Sequence, residues 1–531
     1  MLNVNAFEQH VTARLLDFFD SKSPWQRGLW TPSVALMLKE VLQASQAVAA
    51  EVLTGASIHN IAGYAVELVG RDPACGDETQ KKVLQHALRT DSKNGGIDCN
   101  GVDYRIIKEL TSQIESDYLQ KWSVCLRPGH TGIGPERAAR AIASHLLDSG
   151  FGSDYLHRWW TYKTAHETGT QNLSDLLGQA HELLYRPQKS YEVLVAFEHA
   201  PVSTEQSSPS LWLTNTEVSR WLRAHRFDTS GLRQRGGIKL EIIARDTFSA
   251  AENTVEIIDR LITRVSLGTY QRIVPINRLW IAGEQTHVPL RSARRRVEVH
   301  ALSRQNQVYS MGYLSQIDAA IELAAPLNSE LTSAAIAGGW AAIESLMTGP
   351  GDKERVLAAD RMAMITSCSL PRAELTALSY KLEEQGGAIA TQLHACFSNR
   401  DRAFILADLI KRGNSPNFPA DSDTAALYRI SALLSEPHRV LHDIEHHISM
   451  AFRRLYRHRN MVLHWGKTNS VGIRSCLRAV APLVGAGLDR IAHAAFTEKI
   501  DPLELAARAA IRLGTVGGAS GCTPVDLLET S

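Results

Sequence analysis

The sequence predicts a multidomain α+β chain in three parts: a helical N-terminal region, a central mixed α/β sheet domain and an all-α C-terminal bundle. Three observations predict it. At 531 residues the chain exceeds what one hydrophobic core ordinarily serves. Apolar residues recur at helical spacing towards both ends, whereas the middle carries short runs of β-branched and aromatic residues. With 44% hydrophobic and 21% charged residues, the composition is that of a folded globular protein and not of a disordered chain.

Residues 1–187 are predicted mostly helical. Ala138, Ile142, Leu146 and Leu147 keep a three- and four-residue period, and Pro135 suits a first helical turn, where its missing N–H costs nothing. Gly-rich breaks at 92–101 and 128–134 divide this part. The loop holding Gly129, Gly132 and Gly134 has the look of a phosphate cradle, but it lacks the Walker lysine and a clear preceding strand, and is read as a turn. Trp159, Trp160 and Tyr162 are candidates for base stacking, with packing the preferred role.

Residues 188–310 form the predicted sheet domain. Four runs read as strands: Tyr191 to Phe197, Ile238 to Ile243, Asn277 to Ile281 and Arg296 to His300. Between the second and third, Thr247 to Val265 reads as a helix opened by Ser249 and Glu252 at capping-box spacing. Ser203 to Ser210 reads as an exposed loop. Arg291, Arg294, Arg295 and Arg296 make the densest basic run, a secondary candidate for RNA contact although such runs are mostly solvated. Residues 311–500 return to helical period, and 501–531 read as a C-terminal helix followed by a flexible Gly-, Ser- and Thr-rich tail.

Charge and cysteine content narrow the function classes. Lys plus Arg number 57 against 56 for Asp plus Glu, so no global positive field marks a polybasic nucleic-acid binder, and any RNA contact must come from a local patch. The seven cysteines are scattered and form no CxxC, which supports neither a disulfide framework nor a zinc knuckle. The N-terminus lacks a secretory apolar core, and no stretch reaches the roughly 18 apolar residues a membrane span needs. A cytoplasmic protein without membrane association is expected.

The most informative segment lies near the C-terminus. Ile444, Ile448, Phe452 and Leu455 define a buried helical stripe, and Arg459 and Val462 extend its spacing. An arginine in line with such a stripe must be paired or open into a cleft, whereas the neighbouring Arg453, Arg454 and Arg457 are expected to reach water. His464 follows Arg459 by five positions, about 140° round the helix and about 7.5 Å along it. The pair therefore cannot stack on one face, but it can converge on a phosphate at a groove or helix end, with Gly466 as terminator, or at a two-fold seam between subunits.

That pair fits the cleavage of RNA, which carries its own nucleophile in the ribose 2′-hydroxyl. A histidine can move the proton, and an arginine fork matches two phosphate oxygens but stays protonated. Asn460 can hydrogen-bond the ribose or orient a neighbour. A histidine-rich cluster precedes the motif: His442, Glu445, His446 and His447. His442 and His446 share a face that could hold zinc, yet the pattern departs from HExxH, and a solvated polar face or an RNA-cleft lining is preferred.

The run from Tyr456 through Arg459 and His464 to Gly466, followed by a helical Ser475 to Ala492, resembles the final helices of the HEPN superfamily of ribonucleases, most closely its ApeA-like subgroup. Upstream, Ala335 to Met347, with Trp340 and with Glu344 ahead of Leu346, resembles an early helix of that family. The resemblance covers about residues 314–500. It implies a helical HEPN-like bundle, a homodimer through the motif helices, and a metal-independent endoribonuclease of the toxin or anti-phage defence type, needing no cofactor. By position it makes Arg459 the phosphate-binding residue, His464 the acid or base and Asn460 the polar second residue. Glu344 and Tyr456 are supporting candidates, and Arg457, His458 and Lys467 are secondary RNA contacts. Residues 1–310 are expected to bind a regulatory protein or nucleic-acid trigger. The rival reading is a non-catalytic HEPN-like adaptor that dimerises or binds RNA.

Overall fold

A computed structural model describes the chain except for residues 1–3, 90–95, 128–131, 167–171, 201–210, 292–295, 311–314, 520, 530 and 531. The expected loop at 203–210, most of the predicted Gly129 turn, and Arg294 and Arg295 therefore lie outside the described residues. The fold is mainly helical with one small antiparallel sheet.

Eight helices make the N-terminal region among the described residues: α1 (Val4–Phe19), α2 (Val34–Ala49), α3 (Gly55–Arg71), α4 (Glu78–Ala87), α5 (Val102–Cys125), α6 (Pro135–Asp148), α7 (Ser153–His166) and α8 (Leu173–Tyr185). Pro135 occupies the first turn of α6, and Ala138, Ile142, Leu146 and Leu147 are all buried, as their period requires. Trp160 is fully buried among Phe19 and its neighbours, so packing accounts for it, while Tyr162 is exposed.

The sheet runs in the order β2-β3-β1-β4, with β1 (Lys189–His199), β2 (Trp212–Leu213), β3 (Gly236–Ala244) and β4 (Val274–Ile281). Between them lie α9 (Asn215–Ala224) and α10 (Thr247–Gly268). Because β3 and β4 both pair antiparallel with β1, α10 is the crossover between two strands that β1 separates. Alternation along β1 then feeds two cores: Val193, Val195 and Phe197 pack towards α10, and Leu194 and Ala196 towards Val218 and Leu222 of α9. Two expectations are corrected here. Arg296 to His300 is not a strand, because the N–H groups of Arg296 and Val297 both donate to the Asn328 side chain, which takes the place of a ladder neighbour. The cap of α10 is Asp246, which accepts from the N–H groups of Phe248 and Ser249; Glu252 is displaced to a cleft wall.

The C-terminal helices are α11 (His300–Arg304), α12 (Gln316–Ala324), α13 (Thr332–Met347), α14 (Leu357–Glu383), α15 (Ala388–His394), α16 (Asn399–Lys411), α17 (Asp421–Ser435), α18 (Pro437–Trp465), α19 (Ile473–Glu498) and α20 (Pro502–Thr515). They surround one core in which α14 touches α16, α17, α18, α19 and α20. The tail does not behave as its composition suggests. Val525, Leu527 and Leu528 are buried, and Arg372 donates to the Val525 carbonyl at 2.7 Å, so apolar anchors and a backbone clamp hold it against the bundle.

The N-terminal region and the bundle also share an interface. Arg27 pairs with Glu374 at 2.8 Å and Asp423 at 2.9 Å, all three buried, and Arg429 reaches Glu374 at 3.0 Å. Met450 and Met461 of α18 belong to the apolar core of the N-terminal helices. Helix α18 is thus clasped from two sides.

Candidate active site

Helix α18 begins with Pro437 in its first turn and ends at Gly466, whose φ of 65° is the left-handed conformation glycine adopts without strain. The Lys467 N–H closes back on the Met461 carbonyl at 3.1 Å, so the helix stays regular through the motif. Ile448, Phe452 and Leu455 are fully buried against the bundle, and Val462 continues that stripe. Arg459 lies in line with it but only half-buried, where the bundle face ends.

The offset between Arg459 and His464 is bridged by the length of the arginine side chain. Its Nη1 donates to Asn460 Oδ1 at 3.0 Å and stands 3.4 Å from His464 Nε2. His464 and Leu463 are exposed, and Asn460 is half-buried between the two motif residues. Three side chains of the motif are therefore assembled within one chain at an accessible helix end. The guanidinium contributes only donors to this contact, and the imidazole beside it is open to solvent.

Tyr456, one turn earlier, packs on Trp340 with ring centroids 4.7 Å apart, and the Trp340 indole N–H donates to Glu344 at 2.9 Å. Arg355 also pairs with Glu344. The two supporting candidates are thereby joined through Trp340, with the Glu344 carboxylate already engaged. Lys467 sits over the Trp465 ring, 4.3 Å from its centroid. Arg296 pairs with Glu330 and lines a cleft of about 1770 Å³ bounded by α10, α14 and α19, to which Arg459, Asn460 and His464 contribute nothing. Glu252 keeps solvent contact on that cleft's wall, yet crowding by protein and the nearby Glu330 push its carboxyl up to about 7.

The other face of α18 overturns an expectation. Arg454, Arg457 and His458 do not reach water; all three are buried. Arg454 Nε donates to Glu40 of α2 at 2.7 Å, and its Nη2 reaches the Gly472 carbonyl at 3.1 Å. Burial opposes ionisation of Glu40, but Arg454 and His458 outweigh it and hold the carboxylate well below its ordinary range. Ser470 links His458 Nδ1, at 3.1 Å, to Gln43 of α2. Arg457 has no ion-pair partner among the described residues, and burial pushes its guanidinium down to about 10. Arg453, on the flank, pairs with Asp360 at 2.6 Å.

The histidine cluster divides along the same boundary. His446 Nε2 lies 2.9 Å from Glu67 of α3, and His447 Nδ1 lies 3.1 Å from the Tyr64 hydroxyl, while His442 is exposed. Burial, reinforced by the charge of Arg140, pushes the His447 imidazole down to about 3.

Sequence reasoning passes over Glu40, Gln43, Ser470 and Gly472. Only Gly472 carries a signal, and it is steric: a Cβ there would collide with the Glu40 carboxylate and the Arg454 guanidinium. Comparison with family models, curated proteins and solved structures finds no match to this chain in any of the three.

Proposed function

We propose that the chain is a metal-independent endoribonuclease of HEPN type whose active site is Arg459, Asn460 and His464. The observation that supports this most is the convergence of Arg459 Nη1 on His464 Nε2, 3.4 Å apart, at an accessible end of α18. The 2′-hydroxyl of a ribose attacks the adjacent phosphorus, and the bond to the 5′-oxygen breaks, leaving a 2′,3′-cyclic phosphate and a 5′-hydroxyl. His464 takes the proton from the nucleophile. Arg459 holds the non-bridging oxygens as charge builds on the phosphorane. The departing 5′-oxygen needs a proton from a second group, which the equivalent histidine of a second copy supplies when two α18 ends meet. Exposed Leu463 beside His464 favours such a seam.

A nuclease of this kind must be restrained, and we assign that role to residues 1–310, in a toxin or anti-phage effector. No helix among the described residues is long and apolar enough to cross a membrane. The decisive experiment is cleavage of RNA in the presence of a chelator. Arg459→Ala and His464→Ala should each lower the rate by about 10²- to 10⁴-fold, with cyclic-phosphate ends on the wild-type products. Cleavage indifferent to both substitutions would overturn the site and leave the dimerising or RNA-binding adaptor as the reading. Chelator sensitivity would overturn the metal-independent scheme.

A further inference from the structure

The buried face of α18 holds more positive charge than its surroundings compensate. Met450, Arg454, Arg457, His458 and Met461 lie along one stripe and all are buried; Met450 and Met461 pack in the core of the N-terminal helices, and Arg454 meets Glu40 of α2. One carboxylate, Glu40, serves the whole group, since Arg454 takes it directly and His458 Nε2 stands 3.7 Å from it. Arg457 Nη2, Arg454 Nη1 and His458 Nε2 are buried without a hydrogen-bond partner. A guanidinium taken out of water with nothing to pair with is a cost to this arrangement, and an apolar side chain of the same length would be cheaper.

The same stripe leads to the active site. His464 follows Arg457 by seven positions, two turns on and close to the same face, so the concealed cations continue directly behind the histidine. Within an interface that Arg27, Arg429 and Glu374 also hold, two residues of α2 meet this stripe and the loop beside it. Glu40 and Gln43, one turn apart on α2, reach both the stripe and the loop that leaves the motif, through Gly472 and Ser470. The rims of the stripe are methionines, side chains that repack readily.

We infer that the Arg454–Arg457–His458 face of α18 is a concealed binding surface for the phosphate backbone of single-stranded RNA, latched shut by Glu40 and Gln43 of the N-terminal region. This rests on the proposed ribonuclease activity and adds how the substrate is held and why the resting chain is restrained. When α2 withdraws, Arg457 gains phosphate oxygens as partners, and the strand is carried along the stripe to His464.

The experiment uses the full chain, a single-stranded RNA oligonucleotide and Arg457→Met. The variant should melt higher than wild type, because an uncompensated buried cation is gone. It should bind the oligonucleotide about tenfold more weakly, with a log-log salt slope shallower by about 0.7, one phosphate contact fewer. A variant that melts lower, or that melts higher and binds RNA as wild type does, overturns the inference. Glu40→Gln should bind RNA more tightly than wild type. Should that variant fail to fold, oxidative footprinting of the wild-type chain gives the answer: RNA should increase oxidation of Met450, with Met362 of the bundle core as internal control. Unchanged Met450 oxidation overturns the latch. Failure of the active-site reading is distinct, since it is seen as cleavage that survives Arg459→Ala and His464→Ala.

Discussion

The two buried faces of α18 are built on opposite principles. Towards the bundle, Ile448, Phe452 and Leu455 present hydrocarbon to hydrocarbon, and nothing polar has to be matched. On its other side, the same helix presents two arginines and three histidines, met in part by Glu40, Gln43 through Ser470, Glu67 and Tyr64. The first face gains stability in proportion to area and has no alternative partner in water. The second exchanges hydration for a few directed contacts, so its net stability is small and solvent or a polyanion can compete for it. One helix is thereby fastened by hydrocarbon on one side and by directed polar contacts on the other, with Arg459 and His464 straddling the outward strip between.

Substitutions should separate the two faces. Phe452→Ala should have the largest effect on global unfolding, about 3–5 kcal/mol in denaturant titration, through lost transfer energy and the cavity it leaves. Arg454→Ala should cost a similar about 3–5 kcal/mol, because Glu40 is then buried without a partner. The double replacement Glu40→Leu with Arg454→Leu should recover most of that loss. If the double variant is as unstable as the single one, the polar face is fastened as firmly as the apolar one and the contrast fails.

Of the two faces of α18, acid should act on the one towards the N-terminal region. His447 is held neutral in the fold, with its pKa lowered to about 3 from an ordinary 6.5. The unfolded chain therefore binds the extra proton first, so the stability this group contributes is complete above 6.5 and is lost as pH falls towards 3. His447→Gln should flatten that part of the pH dependence, measured as melting temperature across pH 4–7, while Phe452→Ala should leave its slope unchanged. The smallest effect is expected at Leu463, exposed on the outward strip. Leu463→Ser should change the stability of the single chain by less than about 0.5 kcal/mol and weaken the proposed self-association in sedimentation, and no change in association would remove the outward strip from the proposed seam.

Much of this helix is legible before the structure. The stripe from Ile444 to Leu455, its terminator Gly466 and the alignment of Arg459 with that stripe follow from period and from the conformational freedom of glycine. The expectation that Arg454 and Arg457 reach water fails, and for Arg454 the reason is definite: its partner Glu40 lies some four hundred residues earlier, and no local pattern records a partner so distant. The supposed strand at Arg296 fails similarly, since a β-branched run reads the same whether its N–H groups meet a ladder or the Asn328 side chain. In the tail, Gly, Ser and Thr outweigh Val525, Leu527 and Leu528 in composition, although three anchors suffice to dock it.

The sequence by itself determines the helical character of both ends and three of the four expected strands, because period acts within a few residues, and it places an arginine and a histidine five apart near a helix end. Only the tertiary structure decides that the Arg459 side chain spans that offset to His464, and that the cations beside them are shut under α2. Both depend on which surfaces meet, and that is settled by burial and charge matching across the whole chain.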